Sequence, residues 1–417
     1  MSELSYLEKL LDGVEVEWRT LGEIAVIYDG THKTPKYTAS GVPFVSVQNI
    51  KNLYGTNKYI SPEDFKTYKN KPRKHDLFMT RIGDVGTCAI VEDDRPLAYY
   101  VTLALIRINQ QIAVPGFIRY LIESRFGKAE LYKRTLIHAV PMKINLGEIG
   151  KVAVPIPCPD NPEKSLAIQS EIVRILDKFT ALTAELTAEL TARKKQYNYY
   201  RDQLLSFEEG DVAWKTLGEI SRKISSGGTP KTGVTEYYDG TIPWLRTQEV
   251  DFREIWDTEI KITEEGLKTS SAKWIPKDCI IIAMYGATVG KIGINKIPMT
   301  TNQACANIQL DEEIVHYRYV FHFLCSQYAY IKSLGTGSQT NINAQIVKNI
   351  KIPVPFAENP EKSLNEQLRI VNILDKFDTL TNSITEGLPR EIELRQKQYE
   401  YYRDLLFSFP KPETVSN

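Results

Sequence analysis

No apolar run in the chain approaches the roughly 18–20 residues that a membrane-spanning helix needs, which argues against a transmembrane segment. The N-terminus, MSELSYLEKLLDGVEVEW, has no basic stretch followed by an apolar one, so a cleaved secretory signal is not expected. Cysteine is scarce: Cys88, Cys158, Cys279, Cys305 and Cys325 are scattered without a C-x-x-C pair and read as buried or incidental thiols in a reducing cytoplasm. The five histidines form no H-E-x-x-H and no Cys/His metal spacing, and no G-x-S-x-G is present, so neither a metal nor a cofactor is expected. The Asn/Asp-Pro-Pro-aromatic tetrapeptide of aminomethylating enzymes is also missing, since NPEK carries Glu where the second proline belongs. GATVGK (Gly286–Lys291) has three residues between its glycines rather than four, and Ile292 stands where a Ser or Thr would bind magnesium. It reads as a turn between strands. The acidic VEDDRP stretch reads as a solvated turn, and His316 and His322 as packing residues of an aromatic helix.

An excess of charge of one sign is missing too, with 52 Lys and Arg against 52 Asp and Glu. Phosphate binding, however, needs local positive charge. Residues 18–150 hold 19 basic against 12 acidic residues, residues 214–350 hold 15 against 14, and the remainder holds 18 against 26. The first globular region is therefore basic and the connecting segments acidic.

What the chain has in plenty is itself. WRTLGEI at Trp18–Ile24 recurs as WKTLGEI at Trp214–Ile220, NPEKSL at Asn161–Leu166 recurs at Asn359–Leu364, and ILDKF at Ile175–Phe179 recurs at Ile373–Phe377. RKKQYNYYRDQLLSF (Arg193–Phe207) recurs as RQKQYEYYRDLLFSF (Arg395–Phe409). A period of about half the chain is far longer than the roughly 20–50 residues of solenoid repeats, so this is a tandem duplication of one large unit. The repeat is cyclic: the N-terminal YLEKLLDGVEVEWRTLGEI resembles YRDQLLSFEEGDVAWKTLGEI, which predicts that both chain ends lie near one place. The helical stretches match closely, whereas 25–150 and 221–350 match only at scattered places. That pattern fits helices that meet one kind of partner twice and domains that read different targets.

Segment 163–207 carries Ile168, Ile172, Ile175, Phe179, Leu182, Leu186, Leu190, Tyr197, Tyr200, Leu204 and Phe207 at heptad spacing with one four-residue stutter. Its counterpart carries Phe377, Leu380, Ile384, Leu388, Ile392, Tyr399, Tyr402, Leu406 and Phe409, with Gly387 and Pro389 predicting a kink or break. The two stripes are expected to pack on each other, antiparallel. In the globular parts, PFVSVQNI, CIIIAMYG, ACANIQL and KIPVPF predict strands, and GFIRYLIESRFGKAELYK and HYRYVFHFLCSQYAYIKSL predict helices.

Base reading needs Arg, Lys, Asn, Gln, Ser or Thr on loops or edges. DGTHKTPK and SGGTPKTG supply them at equivalent points of the two units, as do Gln48/Asn49 and Arg246/Gln248. KTYKNKPRKH places Lys66, Lys69, Lys71, Arg73 and Lys74 in one stretch suited to phosphates. GTGSQTN (Gly335–Asn341) is a third candidate loop. The DNA-contacting set is thus Thr31, His32, Lys33, Lys36, Gln48, Asn49, Lys69, Lys71, Arg73, Lys74, Arg81 and Lys143 in the first unit. In the second it is Ser226, Gly227, Gly228, Thr229, Lys231, Arg246, Gln248, Tyr285, Lys291, Gln303, Ser338 and Gln339. Tyr199 and Tyr401 lie off the heptad stripe and are the candidates for partner contact. On these residues alone a nucleotide-dependent enzyme built on GATVGK and a coiled-coil scaffold remain as rival classes.

The order W-[KR]-T-L-G-E-I, G-G-T-P-K, G-A-T-V-G-K-x-G-I, T-N-Q-A and I-P-x-P leading into a long helix, occurring twice, resembles the specificity subunit of type I restriction–modification systems over essentially the whole chain. GGTPK (Gly227–Lys231), GATVGKIGI (Gly286–Ile294) and TNQA (Thr301–Ala304) stand intact in the second unit, while DGTHKTPK, IGDVGTCAI and VTLA replace them in the first. TAELTAEL (Thr183–Leu190) resembles the short repeat in the helical spacer of one subgroup. The resemblance implies an α+β chain with two mixed α/β target-recognition domains separated by two long antiparallel coiled-coil helices in a pseudo-twofold repeat. The expected boundaries are a stub at 1–17, domains at 18–150 and 214–350, and helical spacers at 151–213 and 351–417. It further implies no catalysis by the chain itself, a cytoplasmic setting and no membrane. The implied partners are double-stranded DNA read as a split site, two adenine methyltransferase subunits, and motor-nuclease restriction subunits.

Overall fold

A computed structural model of the chain describes residues 6–208, 210–335, 341–383 and 385–410. Two compact units emerge, one of Met1–Glu185 with Glu393–Asn417 and one of Leu186–Ile392. Among the described residues no helix is long and apolar enough to cross a membrane.

The first unit is built on a four-stranded sheet in the order Ala25–Asp29, Leu103–Ile108, Leu77–Thr80, Cys88–Ile90. Beside it lies a three-stranded sheet in the order Tyr59–Ile60, Val42–Val45, Ala98–Tyr99. The second unit repeats both orders: Ser221–Ser226, Cys305–Leu310, Ile280–Ala283, Ile292–Asn295, and then Lys261–Ile262, Tyr238–Leu245, Thr300–Thr301. It adds one edge strand, Arg253–Ile255, parallel to Ile292–Asn295. The topology has therefore survived where the sequence has diverged. The four predicted strands appear at Val42–Val45, Ile280–Ala283, Cys305–Leu310 and Lys351–Pro355.

Each domain is closed by a two-stranded ribbon that explains two of the repeated motifs. Val16–Thr20 pairs antiparallel with Ala153–Pro157, and Val212–Thr216 with Lys351–Pro355, with Trp18 opposite Pro155 and Trp214 opposite Pro353. Prolines two residues apart confine the missing N–H groups to one edge of the strand and leave the other for the ladder. TLGE is a capping box. The Thr20 amide donates to Glu23 Oε2 at 2.5 Å, and the Thr216 amide to Glu219 Oε2 at 2.7 Å. These backbone bonds hold both carboxyls below the usual carboxylate range.

The predicted domain helices are each two helices, not one. Pro115–Glu123 is followed by Arg125–Tyr132, because buried Ser124 accepts from the Gly127 amide and donates to Leu121 O. Tyr317–Ser326 is likewise followed by Tyr328–Ser333.

The long helix runs unbroken from Pro162 to Leu204, through TAELTAEL. Its counterpart is broken into Pro360–Asn382 and Gly387–Leu406, and Gly387 adopts φ +80°. NPEK is a helix start: Asn161 Oδ1 accepts from the Lys164 amide at 3.0 Å, as Asn359 Oδ1 does from Lys362, with proline at the next position. Two turns further on, buried Gln169 accepts from the Val114 amide (2.9 Å) and donates to Ile112 O (3.0 Å) and Ser165 Oγ (3.2 Å). Gln367 makes the same three bonds, with His316, Ile314 and Ser363. These amides satisfy backbone groups at the start of a domain helix and so fix each long helix to its domain.

The single heptad stripe is a correction. In the first half of the helix Ser165, Ile168, Gln169, Ile172 and Leu176 are the buried positions, facing the domain, while Phe179 stacks on Tyr402 at 5.3 Å. A helix that meets both a domain and another helix needs two apolar faces, and their superposition looked like one. The matched tyrosines divide in the same way. Tyr197 bonds His322 Nδ1 at 3.0 Å and Tyr399 packs edge-on to Tyr120, both domain contacts. Tyr200 stacks on Phe377 at 5.5 Å and Tyr402 on Phe179, both helix contacts. Ile384 lies outside the described residues. In the first unit Leu7 and Leu11 share a core with Leu406, Phe407 and Phe409, and Trp18 Nε1 donates to Pro410 O at 2.8 Å.

Candidate nucleic-acid interface

The two loops matched by sequence occupy the same structural position. Gly30 follows strand Ala25–Asp29, and a Cβ there would come within 2.5 Å of the Tyr100 carbonyl. The Thr31 amide donates to Tyr99 O at 3.1 Å. In the second unit a Cβ on Gly227 would meet Thr301 O at 2.0 Å, and the Gly228 amide donates to Thr301 O at 2.9 Å. A Cβ on Gly228 would stand 2.2 Å from the Ala272 nitrogen. The glycines thus let the loop press onto the neighbouring strand end, which aims the following Thr and Lys residues outward. Gly227 and Gly228 are buried by this packing, so they support the loop rather than present a surface to a ligand.

In the first unit the loop lines an open cleft of about 480 Å³. Thr31, Lys33, Thr34 and Lys36 come from one side, and Thr67, Tyr68, Lys69 and Asn70 from the other. Three lysines therefore converge on one concavity. Burial pushes the Tyr68 hydroxyl above its ordinary pKa, so it stays neutral as a hydrogen-bonding group at physiological pH. Asp29 also lies in the wall, with Oδ2 on His32 Nε2 at 2.9 Å and Oδ1 on Arg81 Nη1 at 3.2 Å. Arg81 drops out of the contact set: it is 8% exposed and its guanidinium also faces Val101 O and Ile144 O. Lys71 Nζ sits over the Phe65 ring at 4.8 Å, and Arg73, Lys74 and Lys143 are exposed.

Gln48 and Gln248 both emerge, exposed, from a 3₁₀ turn that follows the central strand of the small sheet. Asn49 is half-committed, since its Oδ1 accepts from the Ser46 amide at 3.1 Å. Thr229 hydrogen-bonds Gln303, which joins GGTPK to TNQA. Ser226, Lys231, Tyr285 and Gln303 are exposed. Arg246 pairs with Glu259 at 2.7 Å and Lys291 with Asp251 at 2.7 Å, so each must exchange a solvated carboxylate before taking a phosphate. Ser338 and Gln339 lie outside the described residues.

GATVGK is the hairpin connection between Ile280–Ala283 and Ile292–Asn295: Gly286 and Gly290 take φ near +80°, and the Gly290 amide donates to Ala283 O. VEDDRP is a closed turn in which Asp93 accepts from Tyr54 and Arg95, the Arg95 hydrogen bonds lowering its carboxyl to about 2. Burial raises the Cys279 and Cys305 thiols to about 12, which leaves them poor nucleophiles.

Sequence reasoning missed the junction between domain helix and long helix. Tyr120 donates to Asp177 at 2.6 Å in the first unit, and His322 Nε2 meets Asp375 at 2.7 Å in the second. Arg318, 8% exposed, adds bonds to Asp375, Asp378 and Glu254. The repeated ILDKF carried the signal, because its aspartate is the shared acceptor.

If Lys33, Lys36 and Lys69 take phosphates, replacing all three by alanine is expected to flatten the log affinity against log salt plot by about two to three units, at about 0.9 per contact. Salt titration of duplex binding measures this, and an unaltered slope would make the lysines merely solvated.

The family model described as type I restriction modification DNA specificity domain matches residues 13–193 and 209–394. The Escherichia coli EcoR124I/EcoR124II specificity subunit is 47% identical over 440 residues, covering 100% of both chains. A chain from a structure titled for complex assembly and conformational transition of the type I R-M system aligns with TM-score 0.58 at 15% identity, over 94% of this chain and 97% of that one. The M. genitalium S subunit aligns with TM-score 0.55 at 16% identity, over 96% and 98%.

Proposed function

The chain belongs to the type I restriction–modification DNA specificity family, and from that premise we propose that it is the non-catalytic subunit that reads a split duplex target, one half-site per domain. The observation that carries the reading is the pair of domains with one topology, one loop position and different loop residues, joined to helices whose sequence has been kept. The proposed readers span 18–150 and 214–350, the helical spacers 151–213 and 351–417, and the stub 1–17 completes the second helical region. Two adenine methyltransferase subunits dock on the helices, motor-nuclease subunits join them, and the assembly works in the cytoplasm.

Tyr199 and Tyr401 support the docking part. They are 60% and 65% exposed, and each rests edge-on against its stacked neighbour, Tyr200 or Tyr402, so each is a rigid aromatic free on one face. Changing both to alanine is expected to weaken co-purification of the methyltransferase without lowering the melting temperature. Full recovery of the partner would remove them from the interface.

TAELTAEL supports a ruler. Four helical residues rise about 6 Å and leave a net rotation of about 40°. One base pair advances about 3.4 Å and turns about 34–36°. Inserting one more TAEL after Leu190 extends a helix of good formers and is expected to lengthen the unread spacer by about one base pair, with both half-sites kept. Sequencing the methylated adenines of cells that carry the chain with its methyltransferase tests the whole reading. A single split motif is expected for the natural chain, and a contiguous motif or none would overturn it. An unaltered spacer in an active insertion variant would overturn the ruler.

A further inference from the structure

In the first unit the Lys66–His75 stretch follows a short helix, Pro62–Lys66, and leads into strand Leu77–Thr80, forming one wall of the lysine cleft. In the second unit the same place, between helix Glu264–Lys268 and strand Ile280–Ala283, is filled by TSSAKWIPKDC. This stretch touches the GGTPK loop, since Ser271 and Ala272 close the space beside Gly228. It is pinned on both sides of its centre. Ala272 is 5% exposed and Ile275 7% exposed, and Ile275 exchanges two backbone hydrogen bonds with Met299, at 2.9 and 3.2 Å.

Two buried anchors three residues apart force the pair between them outward. Lys273 is exposed and Trp274 is 47% exposed, with no ring contact among the described residues. Lys268 and Lys277 are exposed at the two ends. Neither Lys268 nor Lys273 has a carboxylate within ion-pair distance among the described residues, and Lys277 has Asp278 at 4.0 Å. The indole is thus half-exposed on an anchored backbone, flanked by Lys268 and Lys273 and adjoining a loop rich in Thr and Lys. It fits a polyanion with flat apolar surface, and duplex DNA offers both phosphates and exposed sugar and base edges.

We infer that Lys268–Lys277 is the second domain's counterpart of the first domain's lysine wall, with Lys268 and Lys273 on phosphates and Trp274 against the sugar–base surface of the half-site. This rests on the DNA-reading function proposed above and names a contact that charge counting could not find, since three lysines over ten residues do not stand out in a near-neutral domain.

The test uses the chain assembled with its methyltransferase and a duplex carrying the motif found in cells. Trp274→Ala is expected to weaken binding roughly tenfold, the scale of one lost specific contact. Lys268→Ala with Lys273→Ala is expected to flatten the salt slope by about two units. Trp256→Ala, which removes another exposed indole (63% exposed) just past the added edge strand, is expected to change neither. Unchanged affinity for W274A while the natural complex binds its duplex would overturn the inference. So would a lowered melting temperature for W274A, which would make the indole a packing residue. Failure of the natural complex to bind any duplex would overturn the DNA-reading function and this inference with it.

Discussion

Replacing Arg318 by methionine is expected to destabilise the second unit by about 3 kcal/mol, the low end of the cost of breaking a buried ion pair. The guanidinium holds Asp375 through Nε (2.9 Å) and Nη2 (2.6 Å), Asp378 through Nη2 (3.1 Å) and Glu254 through Nη1 (2.9 Å). Its removal leaves three carboxylates facing one another at the place where the domain helix meets the long helix. The low end applies because Asp375 and Glu254 keep side-chain exposures of 35% and 32%, and water screens part of the repulsion. In a unit of this size the melting transition should fall by roughly 6–12 °C, at about 2–4 °C per kcal/mol.

The effect should depend on pH. Burial alone would raise the Asp375 carboxyl, but His322 and Arg318 override it and hold it below the usual carboxylate range. A carboxyl lowered in the folded state contributes stability above its unfolded value, near pH 4, and loses it as pH falls through the lowered value. The difference between the natural chain and R318M should therefore be full at neutral pH and shrink in acid. A constant difference down to about pH 3 would mean that the arginine acts through its packing alone.

The first unit offers a control, because its junction is built differently. Gly116 stands where Arg318 does, and a Cβ there would already meet Val173 at 2.9 Å. The helices approach closely and, among the described residues, only Tyr120 is seen to hydrogen-bond the Asp177 side chain. The duplication has kept the aspartate and exchanged what meets it.

That contrast shows which parts were legible in the sequence. Motifs whose meaning is local could be read directly: the TLGE capping box, the NPEK helix start, the GATVGK turn and the break before Gly387 each act within a few residues. The matched positions of DGTHKTPK and SGGTPKTG followed from the duplication. What could not be read was division of labour among neighbours on one helix face. Tyr197 and Tyr200 are three residues apart in one stripe, yet one reaches a domain histidine and the other a helix phenylalanine. Charge type was equally poor as a guide to exposure. Arg81 has the charge that a phosphate needs, but Asp29 holds it from within, and the glycines of GGTPK sit where the space beside them is already full. Fold class survives such ambiguity because it rests on many residues, whereas a contact set rests on the position of each one.

The central claim is that each domain is an independent reader, and the chain path makes it testable. The second domain is entered at strand Val212–Thr216 and left at Lys351–Pro355, which pair with each other, and the Leu217 amide donates to Ile350 O at 2.8 Å. A cut at 221 and 350 therefore leaves two ends held side by side by a ribbon that the exchange does not touch. Gln367 and the helix that carries it stay in place, although the Ile314 and His316 groups that it binds would come from the donor. Replacing 221–350 with the equivalent stretch of another family member, and sequencing the methylated adenines in cells that also carry the methyltransferase, is the most direct measurement. The account predicts a motif with one half-site and the spacer retained and the other half-site replaced by the donor's. A change in both half-sites, or an active hybrid whose motif is unaltered, would contradict it.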